Sequence, residues 1–269
     1  MQSFGDKLAA AGADRGRICV GIDPHSQLLK DWGLTDSLAG LKEFTKRCVE
    51  AFAPTAAIVK PQVAFFERYG AAGFAVLEEA IAELRDGGAL VLADAKRGDI
   101  GSTMAGYATA WLADDSPLCA DALTVSPYLG VGALAPVFEL AQATGRGVYV
   151  LAATSNPEAV ALQTMRDISG RTVAQSVIDE LSNWNEGSAL AGKYGPYGVV
   201  LGATVKHPLD LAKLRGPVLL PGVGAQGGTR ADVEKLTGKD NPVAFASVSR
   251  SVLSAGPCIT ALRKALLAC

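Results

Sequence analysis

Short apolar runs, each ending in polar or Gly/Pro-rich residues, recur eight times along the chain, at 18–23, 57–60, 90–94, 122–125, 147–152, 198–201, 218–221 and 243–247. Runs this short, rich in Val, Ile, Leu and Ala, predict strands buried on both faces, as parallel strands are. A different period fills the gaps. Phe74, Leu77, Ile81 and Leu84 fall on one face of a helix, while Glu78, Glu79, Glu83 and Arg85 occupy much of the remainder. Leu41, Phe44, Cys48 and Phe52 repeat the pattern one helix earlier, and Leu262, Ala265 and Leu266 repeat it in the last one. Gly87-Gly88 supplies a stop signal of the kind found at helix C-termini.

Eight strands alternating with helices predict an α/β fold, a (β/α)8 TIM barrel, rather than an open sheet. The chain has 269 residues, the size of one such barrel, and no Pro/Ser-rich linker divides it, so a single domain is expected over 1–269. The stretch 156–195 is too long for one ordinary connection; it reads as a loop, a helix over 172–184 and a second loop.

Composition narrows the classes of function. The net charge is −2 with two histidines, and no basic run offers a footprint for nucleic acid, so the expected partner is a small molecule. The five cysteines include no CxxC pair, which suggests neither a zinc site nor a disulfide frame and fits reduced thiols in a cytoplasmic protein. The N-terminal segment lacks the apolar stretch of a signal peptide and no run is long enough to span a membrane, so a soluble, cytoplasmic chain is expected.

The segment Leu90-Val91-Leu92-Ala93-Asp94-Ala95-Lys96-Arg97-Gly98-Asp99-Ile100 carries the densest chemistry. Asp94 and Lys96 stand two apart at the end of the third strand, where residues i and i+2 share a face and barrel active sites lie. Lys60 ends the second strand at the same level, and Asp99 follows in the loop. Such charges are costly to bury unless they pair, so the group reads either as a catalytic centre or as a structural ion-pair cluster. After the seventh strand comes Pro221-Gly222-Val223-Gly224-Ala225-Gln226-Gly227-Gly228. Its G-x-G-x-x-G match is a weak Rossmann signal, because it sits late in the chain without the acidic residue that should follow. In a barrel, however, the loops after strands seven and eight commonly bind phosphate, and Ser249-Arg250 closes the eighth strand beside it.

Asp94-x-Lys96-x-x-Asp99-Ile100, with Lys60 and the Pro-Gly-Val-Gly-Ala-Gln-Gly-Gly loop, resembles the orotidine 5′-phosphate decarboxylase family, and the likeness runs from Gly21-Ile22-Asp23-Pro24 to Arg250. Asp-Ala-Lys-Arg-Gly-Asp-Ile-Gly-Ser-Thr, Val-Lys-Pro-Gln and Thr-Val-Ser-Pro-Tyr-Leu-Gly are similar to its longer bacterial subgroup. The resemblance implies conversion of orotidine 5′-monophosphate to uridine 5′-monophosphate and CO2 in pyrimidine biosynthesis. It implies catalytic roles for Lys96, as proton donor to C6, and for Asp94, Lys60 and Asp99. Asp23 would contact the ribose, Ser155 the pyrimidine, and Pro221 the substrate pocket. Gly224, Gln226, Ser249 and Arg250 would hold the phosphate, with Gln226 also reaching the base. Asp99, Ile100 and Thr103 would enter the site of a second subunit, implying a homodimer with shared sites.

Loss of CO2 from C6 leaves an electron pair in the ring plane, where π delocalisation cannot reach it. The chain carries no motif for an electron-sink cofactor, so no cofactor and no metal are expected, and stabilisation falls to a fixed ammonium. Asp94 would either repel the substrate carboxylate or orient Lys96, with orientation the larger share. The acidic motif is shared with sugar-phosphate decarboxylases and hexulose-phosphate synthases, which use a divalent metal; a catalytically silent nucleotide-binding barrel is a further alternative. Arg97 receives no role. His25 and His207 read as solvated loop residues, and Trp32, Trp111 and Trp184 as packing residues.

Overall fold

A computed structural model describes residues 2–223 and 227–269, with only the backbone of Arg230. Its eight parallel strands are β1 (Ile18–Ile22), β2 (Ile58–Pro61), β3 (Leu90–Arg97), β4 (Ala122–Val125), β5 (Gly147–Ala153), β6 (Tyr197–Leu201), β7 (Val218–Pro221) and β8 (Ala244–Val248). They pair in chain order, and β8 returns to β1, so the sheet closes into a barrel. The eight apolar runs become these strands. β3 alone runs well past its expected end, because its last residues, Ala95-Lys96-Arg97, carry no apolar signal.

The barrel interior has a gradient that follows from strand alternation. Inward-facing Cys19, Ile58, Leu92, Ala122, Tyr149, Val200, Leu219 and Phe245 form one buried apolar cluster with Phe4 and Leu8. Two residues further along the strands, the same faces carry Gly21, Lys60, Asp94 and Thr124, and Asp23 follows just past the end of β1. One end of the barrel is therefore apolar, plugged by the helix Phe4–Arg15, and the C-terminal end is charged. Phe4 is fully buried edge-on against Tyr149, and Gly147 is needed there, since a Cβ at that position would lie 2.2 Å from the Phe4 ring.

The helices pack as their periods predict. Leu41, Phe44, Cys48 and Phe52 of the helix Leu38–Phe52 are fully buried, as are Leu77 and Leu84 of Gly70–Asp86, with Ile81 nearly so. Gly88 takes the left-handed φ of 88° that ends the latter helix. The expected helix at 172–184 is Val173–Trp184, capped by the Thr172 side chain, which accepts from the Gln175 N–H. The flanking stretches differ from the expected plain loops. They contain the 3₁₀ turn Pro157–Ala159 and the short helices Val160–Gln163 and Glu186–Leu190. None of these buries a residue, so they leave no apolar stripe in the sequence to read. Buried Asn185 anchors this region, donating to Tyr197 O at 2.7 Å and Leu214 O at 2.8 Å and accepting from Tyr197 N at 3.2 Å. Among the described residues no helix is long and apolar enough to cross a membrane.

Candidate active site

The site begins as an irregularity in strand pairing. β3 and β4 are in register at Leu92–Ala122 and Ala93–Leu123, and pairing resumes at Arg97–Val125. Asp94, Ala95 and Lys96 thus lie opposite the single residue Thr124, a bulge that removes ladder bonds and bends the strand. Lys96 adopts φ 49°, a left-handed conformation that a long side chain rarely takes and that costs on the order of 1–3 kcal/mol. Its backbone N–H donates to Thr124 Oγ1 at 2.9 Å in place of a ladder carbonyl. The sequence expectation that Asp94 and Lys96 reach one place holds, but a bulge brings them there rather than the plain pleat.

Asp94 is the hub. Its Oδ1 accepts from Lys96 Nζ at 2.6 Å and from Thr124 Oγ1 at 2.9 Å. Its Oδ2 accepts from Lys60 Nζ at 3.0 Å and, with the Gln62 amide turned to satisfy its neighbours, from the Gln62 amide nitrogen at 2.6 Å. The same nitrogen donates to Asp94 O at 3.1 Å. Burial pushes the Asp94 carboxyl up, but the Lys60 and Lys96 ammoniums outweigh it and hold it down at about 2. Burial likewise lowers the Lys60 pKa, and the Asp94 and Asp23 carboxylates reverse this and leave it raised. Lys60 and Asp94 are nine-tenths or more buried on their side chains, whereas Lys96 is 44% exposed and faces the mouth. Asp23 completes the row at 3.9 Å from Lys60 Nζ, and its buried Oδ1 has no hydrogen-bond partner among the described residues. That oxygen is a buried acceptor left unfilled beside the Lys60 ammonium.

Arg97, for which the sequence offered no role, follows Lys96 at the end of β3. Its guanidinium pairs with Glu67, donates to Ala95 O at 3.2 Å, and lies 5.7 Å from the rings of both Tyr107 and Trp111. It ties the bulge to the helices Ala64–Glu67 and Gly101–Leu112. Below Lys60, the fully buried Cys19 thiol is pushed up to about 12 by burial, so it sits in the site's floor as a neutral group.

Ser249 lies against β1, where a Cβ on Gly21 would come within 2.1 Å of its Oγ; only glycine leaves that space. Arg250 opens the helix Arg250–Leu253, is exposed, and makes no side-chain hydrogen bond or ion pair among the described residues. Pro221 ends β7 in register with Ser247 of β8. Ser155 is exposed just beyond β5, with its backbone against Gly202 at the end of β6. Asp99 accepts the Ile100 N–H at 2.7 Å, and Ile100 and Thr103 are both exposed. Gly224 and Gln226 lie outside the described residues. Thr124 and Gln62 were missed. Both stood in quoted motifs without a role, and that of Thr124 could have been sought from its place two residues beyond inward-facing Ala122.

The strands place an ammonium–carboxylate–ammonium cluster at their C-terminal ends, as TIM-barrel enzymes place their chemistry. A family model for orotidine 5′-phosphate decarboxylase / HUMPS matches residues 16–265, and the chain belongs to that family. An orotidine 5′-phosphate decarboxylase of Corynebacterium glutamicum is 56% identical over 264 residues, which is 98% of this chain and 95% of the relative. One from Salinispora arenicola is 55% identical over 266 residues, with the same shares covered. A crystal structure from Streptomyces avermitilis assigned to the same activity superposes with a TM-score of 0.94 at 50% identity, covering 99% of this chain and 93% of that one. A decarboxylase from Methanocaldococcus jannaschii, 19% identical with a TM-score of 0.60 over 93% of this chain and 97% of its own, shares the fold.

Proposed function

We propose that this chain decarboxylates orotidine 5′-monophosphate to uridine 5′-monophosphate and CO2, the step that yields the pyrimidine nucleotide. The observation that carries this reading is the Asp94 carboxylate held between Lys60 and Lys96, with the Lys96 ammonium free to meet a ligand at the mouth. Full-length relatives named as decarboxylases favour it over the second activity in the family's description.

In this reading the bond from C6 to the carboxylate breaks, CO2 leaves, and the electron pair stays on C6. The Lys96 ammonium stabilises that charge as it develops and then transfers a proton to C6; solvent reprotonates the neutral amine. Asp94, with four donors on its two oxygens, remains an anion that fixes Lys96. No lone pair is left on it for a divalent metal, which separates this site from the metal-dependent sugar-phosphate chemistry. The partly exposed Asp23 carboxylate suits a ribose hydroxyl beside Lys60. Ser155 and Pro221 would border the pyrimidine, and Gly224, Gln226, Ser249 and Arg250 would grip the phosphate. That remote binding energy can be used to position the ring.

The reading includes a homodimer in the cytoplasm. The helix Gly101–Leu112 exposes the small residues Gly101, Ser102, Thr103, Ala105 and Gly106. Ile100, Tyr128 and Leu129 are exposed as well. A second copy seated there would receive Asp99 near its own site. Sedimentation at twice the 27.7 kDa chain mass supports this, whereas a monomer that is fully active would remove it.

The test of the activity is the ultraviolet absorbance of orotidine 5′-monophosphate mixed with protein stripped by EDTA. The orotate chromophore should decay to that of a uracil nucleotide, with one CO2 released per nucleotide. Decay only after magnesium is restored, or none at all, overturns the reading.

A further inference from the structure

We infer that Thr124 is a positioning residue for the decarboxylation, one hydroxyl that sets both the Asp94 carboxylate and the backbone from which Lys96 projects. This rests on the proposed activity and deepens it.

A hydroxyl has one proton to give and lone pairs to accept with. Thr124 uses both here. It donates to Asp94 Oδ1 at 2.9 Å and accepts the Lys96 N–H at 2.9 Å. The residue is 1% exposed, so neither bond has water to replace it. The geometry also gives it a task that no other group on β4 performs. Three residues of β3 stand opposite Thr124 alone, and Lys96 is held at φ 49° inside that mismatch. Without the hydroxyl, the Lys96 N–H would be unpaired at the one point where the strand is strained. The relaxed backbone would carry the ammonium away from its place.

The bond Thr124 donates also falls on the oxygen that the Lys96 ammonium holds. Lys96 Nζ and Thr124 Oγ1 share Asp94 Oδ1, while Lys60 and Gln62 share Oδ2. The carboxylate is thus prevented from turning about its terminal bond, and Lys96 is fixed at two ends, its main-chain N–H and its Nζ. Valine keeps the β-branched shape and removes only the hydroxyl; serine keeps the hydroxyl and removes a methyl group.

The test compares Thr124→Val and Thr124→Ser with the unaltered protein in the orotidine 5′-monophosphate assay, reading kcat and KM separately alongside Tm. Loss of a hydrogen bond to a charged group, and the displacement that follows, should lower kcat for Thr124→Val by about 10- to 100-fold. KM should stay within about threefold, because Thr124 touches no binding group. Thr124→Ser should recover most of kcat. A Thr124→Val protein with unaltered kcat overturns the proposal, and so does one in which Thr124→Ser is as impaired as Thr124→Val, since packing alone would then matter. If the unaltered protein does not turn over the nucleotide, the activity itself fails, and that outcome is distinct from either of these.

Discussion

The two halves of the barrel mouth are built differently. Along β1 to β4 the polar groups Lys60, Asp94, Lys96 and Thr124 are strand residues linked through Asp94 or to each other, with Asp23 and Gln62 just past the ends of β1 and β2. Along β5 to β8 they sit on connections. Ser155 and Arg250 are exposed, and the segment after β5 presents Val160, Leu162, Met165 and Ile168 to solvent. A reacting centre gains from groups held still before the substrate arrives, since a misplacement of about 1 Å can cost about 100-fold. A binding rim gains from groups that close around the ligand and use its remote contacts. The difference suggests that chemistry belongs to the first half and recognition to the second.

The comparison can be broken by showing that either half does the other's work. The largest effect outside the reacting cluster should come from Arg250→Ala, expected to lower kcat/KM by about 100-fold or more through loss of charge-assisted phosphate bonds. A near-normal kcat/KM would remove Arg250 from the rim. A smaller effect sharpens the other half. The Asp94 carboxyl is held at about 2 against an ordinary 3.8, so its contribution to stability is fully present above about pH 4 and is lost as pH falls towards 2. That contribution is about 2 kcal/mol. The unfolding free energy of Asp94→Asn, measured in urea, should therefore decline less steeply than that of the unaltered protein between pH 4 and 2, with these pH limits set by the same two values. Parallel curves would mean that the cluster does not hold the carboxylate as described.

Much of the fold was legible because each strand is a local apolar run and each long helix carries its own stripe. The half with the charged cluster was legible in part. Asp94, Lys96 and Lys60 are charges at the ends of apolar runs, which is conspicuous. Thr124 was quoted in a motif but given no role, because its importance arises from a register shift between two strands, and register is a property of the pair rather than of either strand. Gln62 was quoted without a role for a related reason: its partner is across a strand junction. Arg97 gained its role only from Glu67, Tyr107 and Trp111, which the fold brings from elsewhere in the chain. The recognition half rests more on motif likeness, since glycine loops and exposed side chains show little of what they meet until a ligand is present.

The division of labour is tested most directly by Lys96→Ala, assayed for both turnover and binding in one preparation. Turnover of orotidine 5′-monophosphate should fall by at least about 10⁴-fold, as in the proposed mechanism the ammonium supplies both charge stabilisation and the proton. The Kd for uridine 5′-monophosphate, measured by calorimetry, should change by less than about tenfold, because the rim that would hold the phosphate is untouched. Retained turnover, or loss of nucleotide binding in step with turnover in a protein that is still folded, would contradict the account.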